Sequence, residues 1–187
     1  MLEKILALDT QLFVYLNGLG SETYDGLWLL ITKQFNWIPF FVLLLYVLFK
    51  KTGLKQSLYL LVFIAVLITL TDQTTNLFKF GFQRLRPCNS PDIKEGIRIV
   101  KSSATFSFFS GHAANTMAVA TFLFLNFRKR IPYLGFLFLW PLIFAYSRIY
   151  LGLHYPLDIL CGYLCGFTLG FVMYKVYLKV QQRYFPL

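Results

Sequence analysis

The sequence predicts an all-α fold, a polytopic membrane helix bundle of five to six helices that includes an N-terminal interfacial amphipathic helix. Hydrophobic residues make up 57% of its 187 residues. The mean hydropathy is +0.60, so the chain is more apolar than an ordinary soluble domain. Since one membrane crossing needs about 20 apolar residues, the length suits a single domain, residues 1–187, with short loops.

The basic residues are distributed as in the loops of a membrane protein. The formal net charge of +10 would by itself be compatible with nucleic-acid binding. However, the bases form short clusters between apolar runs, which indicates cytoplasmic loops under the positive-inside rule and argues against nucleic acid as a partner. The clusters are Lys50, Lys51 and Lys55; Arg128, Lys129 and Arg130; and Lys175, Lys179 and Arg183.

The first helix is predicted over residues 2–17. Its apolar residues recur with a helical period, but the segment is too short and too polar to span a bilayer. We therefore expect it to lie at the membrane interface. Because Glu3, Lys4 and Asp9 interrupt its apolar residues, no cleavable signal peptide is expected. The three cysteines form neither a disulfide framework nor a metal-ligand spacing.

Five apolar segments are predicted to cross the membrane. The first covers residues 37–49 and extends back to residues 27–31 across a break near residues 33–39. The second begins near residue 57 and runs outward toward residue 79, and the remaining three cover residues 111–127, 132–146 and 156–175. The long polar loop at residues 83–107 should face outward. Its position between two motif-bearing helices favours an ordered lid.

The fifth span carries a stripe of small residues. Gly162, Gly166 and Gly170 are spaced by four, which allows another helix to approach closely. Asp158 lies on the same stripe one turn earlier, and a buried acid in a membrane helix requires a partner. His154, four residues before Asp158, is the predicted partner.

Three clusters of polar residues stand at the predicted outer ends of helices, and they contain both histidines of the chain. The first cluster and the third supply three positive charges, as a phosphate dianion requires; these are Lys79, Arg86 and Arg148. In the second cluster, Ser110 and Gly111 begin the third span, where free backbone N–H groups and the helix dipole favour an anion.

The two histidines suggest complementary chemical roles. Asp158 can bind one imidazole nitrogen of His154 and leave the other as a nucleophile. His112 can protonate the departing oxygen. Two histidines and one nearby acid are too few ligands for the usual closed metal sites, so we expect neither a metal nor another cofactor.

The three clusters resemble the signature of the type 2 phosphatidic acid phosphatase superfamily, whose pattern is K-x6-RP, PSGH and SR-x5-H-x3-D. Here the pattern is Lys79-x6-Arg86-Pro87, Phe109-Ser110-Gly111-His112 and Ser147-Arg148-x5-His154-x3-Asp158, with Phe109 in place of the proline. The resemblance covers roughly residues 70–170. The short chain with an N-terminal interfacial helix looks like the bacterial undecaprenyl-diphosphatase and lipid A phosphatase branches.

This resemblance implies a metal-independent membrane lipid phosphatase that passes through a phosphohistidine. By motif match, His154 is the nucleophile, Asp158 its orienting partner and His112 the general acid. The resemblance assigns phosphate binding to Lys79, Arg86, Ser110, Gly111 and Arg148. It also implies a multi-pass protein of the bacterial inner membrane, with the 83–107 loop and the active site on the periplasmic side.

The sequence leaves several alternatives open. The substrate can be undecaprenyl diphosphate, lipid A, phosphatidylglycerophosphate or phosphatidic acid, and neither the preference for monophosphate or diphosphate nor the oligomeric state follows from the residues. A non-catalytic homologue that binds or flips a phospholipid is the competing function. A vanadate-dependent haloperoxidase is poorly supported, because those relatives are soluble.

Five further side chains near the clusters have two interpretations each. Arg84 and Lys101 are predicted to be interfacial charges rather than phosphate ligands. Asp72 either steers Lys79 along one helix face or makes a capping or inter-helix hydrogen bond. Tyr155, which flanks the third cluster, is predicted to be a packing residue more readily than a substrate contact, and the same holds for Tyr150.

Overall fold

The computed structural model describes residues 1–184, so the last three residues of the predicted 1–187 domain lie outside the described residues. Residues 1–184 contain seven α-helices and no strand, which confirms the predicted all-α class. The helices are α1 (Leu2–Gly18), α2 (Glu22–Ile31), α3 (Ile38–Thr52), α4 (Leu54–Phe82), α5 (Gly111–Phe127), α6 (Leu139–Tyr150) and α7 (Pro156–Tyr184).

Helix α1 forms where the sequence predicts it, and its three buried residues are Asp9, Phe13 and Asn17. Its apolar side chains are mostly exposed, among them Ile5 and Leu8, whereas Asp9 and Asn17 are buried. The Asn17 amide donates to the carbonyl oxygens of Arg98 at 3.0 Å and Ile149 at 3.1 Å. A helix with many exposed apolar side chains and a buried row of Asp9, Phe13 and Asn17 fits a position between lipid and protein.

The predicted break in the first span is present. Helix α2 ends at Ile31, a short 3-10 helix covers Gln34–Trp37, and α3 begins at Ile38. The break is predicted to end near residue 39, and α3 already begins at Ile38. Pro39 can lie in the first turn of the helix, because its missing N–H costs no helical hydrogen bond there.

Three segments within residues 1–184 are long and apolar enough to cross a membrane, namely Gln34–Thr52, Leu54–Asn89 and Pro156–Arg183. The apolar segment Leu134–Tyr150 is shorter. It begins as a 3-10 helix at Leu134–Phe138 and continues as α6, so the predicted fourth span starts later and ends later than expected. By length and composition, three of the five predicted crossings are supported, and the other two stay predictions.

Helix α5 occupies the centre of the bundle. Its 17 residues span about 26 Å at 1.5 Å per residue. Small side chains such as Ala114 and Ala118 are fully buried, because neighbouring helices cover α5 on several sides. A helix enclosed by protein does not need the long, uniformly apolar surface of a lipid-facing span.

The glycine stripe of α7 packs directly on α5. A Cβ atom added at Gly162 would lie 2.7 Å from the Ser110 carbonyl oxygen, and one at Gly170 would lie 2.5 Å from the Ala118 oxygen. Gly166 makes the same kind of approach to Ala114. The close approach predicted from the spacing therefore has α5 as its partner, and it brings the first turns of both helices together.

The loop after α4 begins at the predicted position and is bound to the turn between α6 and α7. The Cys88 N–H donates to the Gly152 oxygen at 3.1 Å, and the Lys101 N–H donates to the Leu151 oxygen at 3.2 Å. Arg98 also forms an ion pair of 2.8 Å with Asp25 of α2. These bonds hold the loop over the segment that carries His154.

Candidate active site

His154 lies in the turn between α6 and α7 and is only 1% exposed. The turn is closed by the N–H groups of Leu153 and His154, which donate to the Arg148 oxygen at 2.9 and 3.2 Å. Gly152 adopts a φ of +83°, and a Cβ atom there would lie 3.0 Å from the Arg98 oxygen. The left-handed conformation and the close loop both favour glycine at this position.

Both nitrogens of His154 face a charged side chain. Arg86 Nη1 lies 2.9 Å from Nε2, and Asp158 Oδ2 lies 3.5 Å from Nδ1. A guanidinium can only donate, so Nε2 must accept and the imidazole proton resides on Nδ1, toward the carboxylate. This tautomer leaves the Nε2 lone pair as the reactive position.

Asp158 is held from several directions in the first turn of α7. Its Oδ2 atom accepts the Tyr155 N–H at 3.0 Å, and its backbone oxygen accepts the Ser110 N–H at 3.0 Å. Its Oδ1 atom forms an ion pair of 2.8 Å with Arg84. The carboxylate is fully buried, so these contacts fix its orientation toward His154.

Arg86 is buried and fixed along its whole guanidinium group. Its Nε atom donates to the Thr105 oxygen and Nη2 to the Thr105 hydroxyl, both at 2.8 Å. Its Nη1 atom donates to the Leu153 oxygen at 2.9 Å as well as facing His154. Thr105, a loop residue that the sequence did not single out, therefore orients the predicted phosphate ligand.

Arg148 enters the site from the last turn of α6. Its Nη1 atom donates to the Thr32 hydroxyl at 2.6 Å, and Thr32 is only 4% exposed. Its Nε atom is buried without a hydrogen-bond partner among the described residues. A buried donor of this kind is unfavourable on its own and suits an anionic ligand.

Ser110 and Gly111 form the N-terminus of α5 as predicted. The Ser110 hydroxyl caps the helix by accepting the Ala113 N–H at 3.4 Å. A Cβ atom at Gly111 would lie 3.2 Å from the Thr75 methyl group of α4. Phe109, which stands in place of the motif proline, is buried with its ring 5.2 Å from that of Phe78. The free N–H groups of this turn can bind an anion.

His112 follows in the first turn of α5 and lines a cavity of about 260 Å³. Its ring packs against Phe144, with the centroids 5.4 Å apart. Asp72 and Asn115 line the same cavity, and the Asn115 amide donates to Asp72 at 2.6 Å. Asp72 therefore makes the inter-helix hydrogen bond, which is one of its two sequence interpretations.

The charges around His154 lower its basicity. Burial places the pKa of His154 well below its ordinary value of 6.5, and the positive charges of Arg86, Arg148 and Lys79 lower it further. Lys79, half-buried near the end of α4, thus acts on the same histidine as the two arginines. Neutral imidazole is the form that can act as a nucleophile at neutral pH.

Arg84 differs from its predicted role as an interfacial charge. It is 19% exposed and bridges two carboxylates, Asp158 at 2.8 Å and Asp9 of α1 at 2.7 Å. Its guanidinium also lies 3.9 Å from the Tyr155 ring centroid. Lys101 is exposed, and its interpretation as an interfacial charge stays a prediction. Neither the partner of Arg84 nor the role of Asp9 could be read from local spacing, since the contacts join distant parts of the chain.

The structure brings the predicted site residues to one end of the bundle, where the turns at the start of α5 and α7 meet the end of α4. A family model of the PAP2 superfamily matches residues 57–182. The chain belongs to the PAP2 superfamily. The match covers all three motifs, and it confirms the type 2 phosphatidic acid phosphatase resemblance that the motifs indicated.

Curated PAP2 relatives cover most of the chain. It is 39% identical over 166 residues to the lipid A 4'-phosphatase of Bacteroides thetaiotaomicron, covering 87% of this chain and 73% of the relative. It is 31% identical over 186 residues to the lipid A 4'-phosphatase of Porphyromonas gingivalis, covering 98% and 78%. It is 29% identical over 164 residues to the undecaprenyl-diphosphatase of Sulfolobus acidocaldarius, covering 86% and 74%.

Two solved structures share the PAP2 fold. LpxE of Aquifex aeolicus superposes with a TM-score of 0.70 at 23% identity, covering 90% of this chain and 95% of that one. A transmembrane PAP2-type phosphatidylglycerolphosphate phosphatase of Bacillus subtilis superposes with a TM-score of 0.72 at 19% identity, covering 95% and 88%. The solved structures show the fold; the family match and the two relatives above 30% identity show that the chain is a membrane lipid phosphatase.

Two side chains that hydrogen-bond to arginines of the site lie outside the PAP2 match. Thr32 and Asp9 both precede residue 57, where the matched segment begins. The N-terminal segment therefore contributes to the site directly, through hydrogen bonds with Arg148 and Arg84.

Proposed function

We propose that this phosphatase removes a phosphate group from a lipid A-type substrate on the periplasmic side of the bacterial inner membrane, through a phosphohistidine on His154 and without a metal. The observation that carries the chemistry is the pair of charged groups beside the ring nitrogens of His154, from which the tautomer with the proton on Nδ1 is inferred. Its Nε2 lone pair faces the cation cluster, at 2.9 Å from Arg86, while Nδ1 faces Asp158.

In the first step, His154 Nε2 attacks phosphorus, a P–N bond forms, and the bond between phosphorus and the lipid oxygen breaks. His112 donates a proton to that departing oxygen. The negative charge of the bound phosphate favours the protonated form of His112. The imidazole of His154 becomes positively charged in this step, and the Asp158 carboxylate stabilises it through the Nδ1 proton.

In the second step, a water molecule attacks the phosphohistidine and the P–N bond breaks. His112, now neutral, accepts the proton of that water, so the same side chain serves as acid and then as base. The products are inorganic phosphate and the lipid alcohol, and both histidines return to their starting states.

The cations supply the stabilisation of the transferring phosphoryl group. Arg86, Arg148 and Lys79 approach from the loop, α6 and α4. The N-terminus of α5 adds the backbone N–H of Gly111, while the N–H of Ser110 is bonded to the Asp158 oxygen and fixes the turn. Such fixed donors around a developing negative charge are the main source of catalysis in phosphoryl transfer.

A lipid substrate is supported by the cavity beside His112. It shares Phe41, Ile68, Val119 and Trp140 with a second cavity of about 330 Å³, which is lined by apolar residues of α3, α4, α5 and α6. The two cavities therefore adjoin, and the second extends the space beside His112 along apolar side chains of α3 and α4. An acyl or prenyl chain fits this space while the phosphate reaches the histidines.

The lipid A-type substrate is supported by the two relatives that carry that name, at 39% and 31% identity. The periplasmic orientation is supported by the basic clusters. They lie at the junction of α3 and α4, directly after α5 and in the second half of α7, away from the site. The positive-inside rule places these ends in the cytoplasm.

The test of the substrate is phosphate release by the purified protein from four lipids under identical detergent conditions: lipid A, undecaprenyl diphosphate, phosphatidylglycerophosphate and phosphatidic acid. We expect the highest kcat/KM on lipid A and no loss of activity in EDTA. A higher value on undecaprenyl diphosphate, the substrate named for the third relative, would overturn the substrate while leaving the phosphatase chemistry intact.

The test of the orientation is labelling of intact cells with a membrane-impermeant maleimide. Single cysteines are introduced at Asp92, in the 83–107 loop, and at Lys129, between α5 and α6, in a chain whose natural cysteines are replaced. Labelling at position 92 without labelling at position 129 is expected, and the reverse pattern would overturn the proposed orientation.

A further inference from the structure

The N-terminal helix α1 is joined to the Asp158 carboxylate by one arginine. Arg84 Nη2 donates to Asp9 Oδ2 at 2.7 Å, and Arg84 Nη1 donates to Asp158 Oδ1 at 2.8 Å. Asp9 lies outside the PAP2 match at residues 57–182, and Arg84 lies among the unspecified positions between Lys79 and Arg86 in the first motif. Neither residue has an assigned role in that signature.

Asp9, like Asp158, is buried and accepts hydrogen bonds on both carboxylate oxygens. Its second oxygen, Oδ1, accepts the Leu157 N–H at 2.7 Å, next to Asp158 in the first turn of α7. The Asp9 side chain is 4% exposed and that of Asp158 is 0% exposed. Both oxygens of Asp9 accept from N–H donors, as both oxygens of an ionised carboxylate do.

This arrangement determines the charge that His154 experiences. A pair of Arg84 and Asp158 alone would be neutral, and the arginine would offset the stabilisation that Asp158 gives to a positively charged His154. With Asp9 on its other nitrogen, Arg84 is shared between two carboxylates, and the group of three carries one net negative charge. That negative charge is close to the histidine in a site otherwise rich in cations.

We propose that Asp9 and Arg84 are positioning residues of the phosphatase reaction. Asp9 balances Arg84, so that Asp158 keeps its negative charge for His154, and the same contacts fix α1 against the start of α7. The interfacial helix is thereby part of the catalytic support. This inference rests on the proposed role of His154 as the nucleophile.

Charged or titratable groups face His154 from every element packed around it, and the test must leave these groups unchanged. They are Lys79 of α4, Arg86 of the loop, His112 of α5, Arg148 of α6 and Asp158 of α7, with Arg84 and Asp9 behind Asp158. Of these groups, Asp9 lies farthest from His154. Its substitution changes one charge and leaves every proposed phosphate ligand in place.

The experiment compares Asp9→Asn with Glu3→Gln, which removes an exposed acid from the same helix. In Asp9→Asn we expect kcat to fall on the order of tenfold, the lower end of the effect of changing outer-shell partners of metal-bound histidines. KM should stay near that of the wild type. Because the net charge near His154 becomes less negative, the acid limb of kcat/KM should move to lower pH. Glu3→Gln should match the wild type.

Asp9→Glu supplies the rescue variant, since it keeps the charge on a longer side chain. Recovery of the wild-type pH profile in Asp9→Glu, with thermal stability equal in all variants, supports the inference. It is overturned if Asp9→Asn has the wild-type kcat and pH profile, or if Asp9→Asn and Asp9→Glu lose activity equally without any shift of the acid limb. The proposed function fails separately, if His154→Ala retains phosphate release.

Discussion

Arg86 Nη1 lies 2.9 Å from His154 Nε2, so a predicted phosphate ligand directly contacts the nitrogen that is proposed to attack phosphorus. The two remaining guanidinium nitrogens stay bound to Thr105. Arg86 can therefore transfer Nη1 from the imidazole to an incoming phosphate oxygen while its Nε and Nη2 bonds hold it in place. The attacking lone pair and a phosphate-binding donor are thus positioned by the same contact.

The first prediction concerns the two histidines. His154→Ala should lower kcat by more than about a thousandfold, because it removes the nucleophile, a loss comparable to that of other catalytic nucleophiles. When the reaction with substrate carrying a radiolabelled phosphate is quenched with alkali before the first turnover is complete, label should be recovered on wild-type protein and none on His154→Ala. His112→Ala should also lose turnover. Label bound equally to the wild type and to His154→Ala would contradict the assignment.

The second prediction concerns the titration of His154. Burial and the nearby cations lower its pKa below 6.5, so its neutral form should persist as the pH falls through 6.5 and be lost only in more acidic solution. His112→Asn leaves His154 as the one remaining histidine in the sequence. A nitrogen-15 NMR titration of that variant in detergent micelles should show a midpoint below 6.5. A midpoint at or above 6.5 would contradict the cause assigned here.

The third prediction concerns Thr32, the hydroxyl acceptor of Arg148. Thr32→Val keeps the side-chain volume but leaves a buried guanidinium donor without its bond, which costs about 1–3 kcal/mol. We expect KM to rise about tenfold or more, because Arg148 is less well placed for phosphate. Thr69→Val is the matched control, since the exposed Thr69 bonds only to Ala65 of its own helix. Equal kinetics in the two variants would rule out this role of Thr32.

The fourth prediction concerns the contact of α5 with α7. Gly166→Ala places a Cβ atom against the Ala114 carbonyl group, and overpacking of this kind costs about 1–3 kcal/mol. Gly26→Ala in α2 has nothing within 4 Å of the added carbon, so it should raise stability by about 0.5–1 kcal/mol through helix propensity. Thermal unfolding in micelles should show a lower Tm for Gly166→Ala than for the wild type, and no such decrease for Gly26→Ala. A Tm of Gly166→Ala at or above the wild-type value would contradict the packing.

Much of the site could be predicted from the sequence because its signals are local. Lys79 and Arg86, Ser110 and His112, and His154 and Asp158 each stand within a short segment, so helix geometry relates the members of each pair. The glycine spacing of α7 similarly predicted a close helix contact, and apolar composition predicted the helix bundle. Spacing of this kind identifies a face of one helix without identifying the helix that packs on it.

The tertiary structure decided the contacts that join distant segments. From the sequence, Arg84 is interpreted as an interfacial charge. In the structure it bonds to Asp9 and Asp158, which lie 75 and 74 residues away along the chain. Thr32 meets Arg148 across 116 residues. No periodicity specifies such pairs, because they depend on how α1 and the segment before α3 fold back onto the bundle. The sequence by itself determined the family motifs and the helices that carry them, whereas only packing determined which residues support the two histidines.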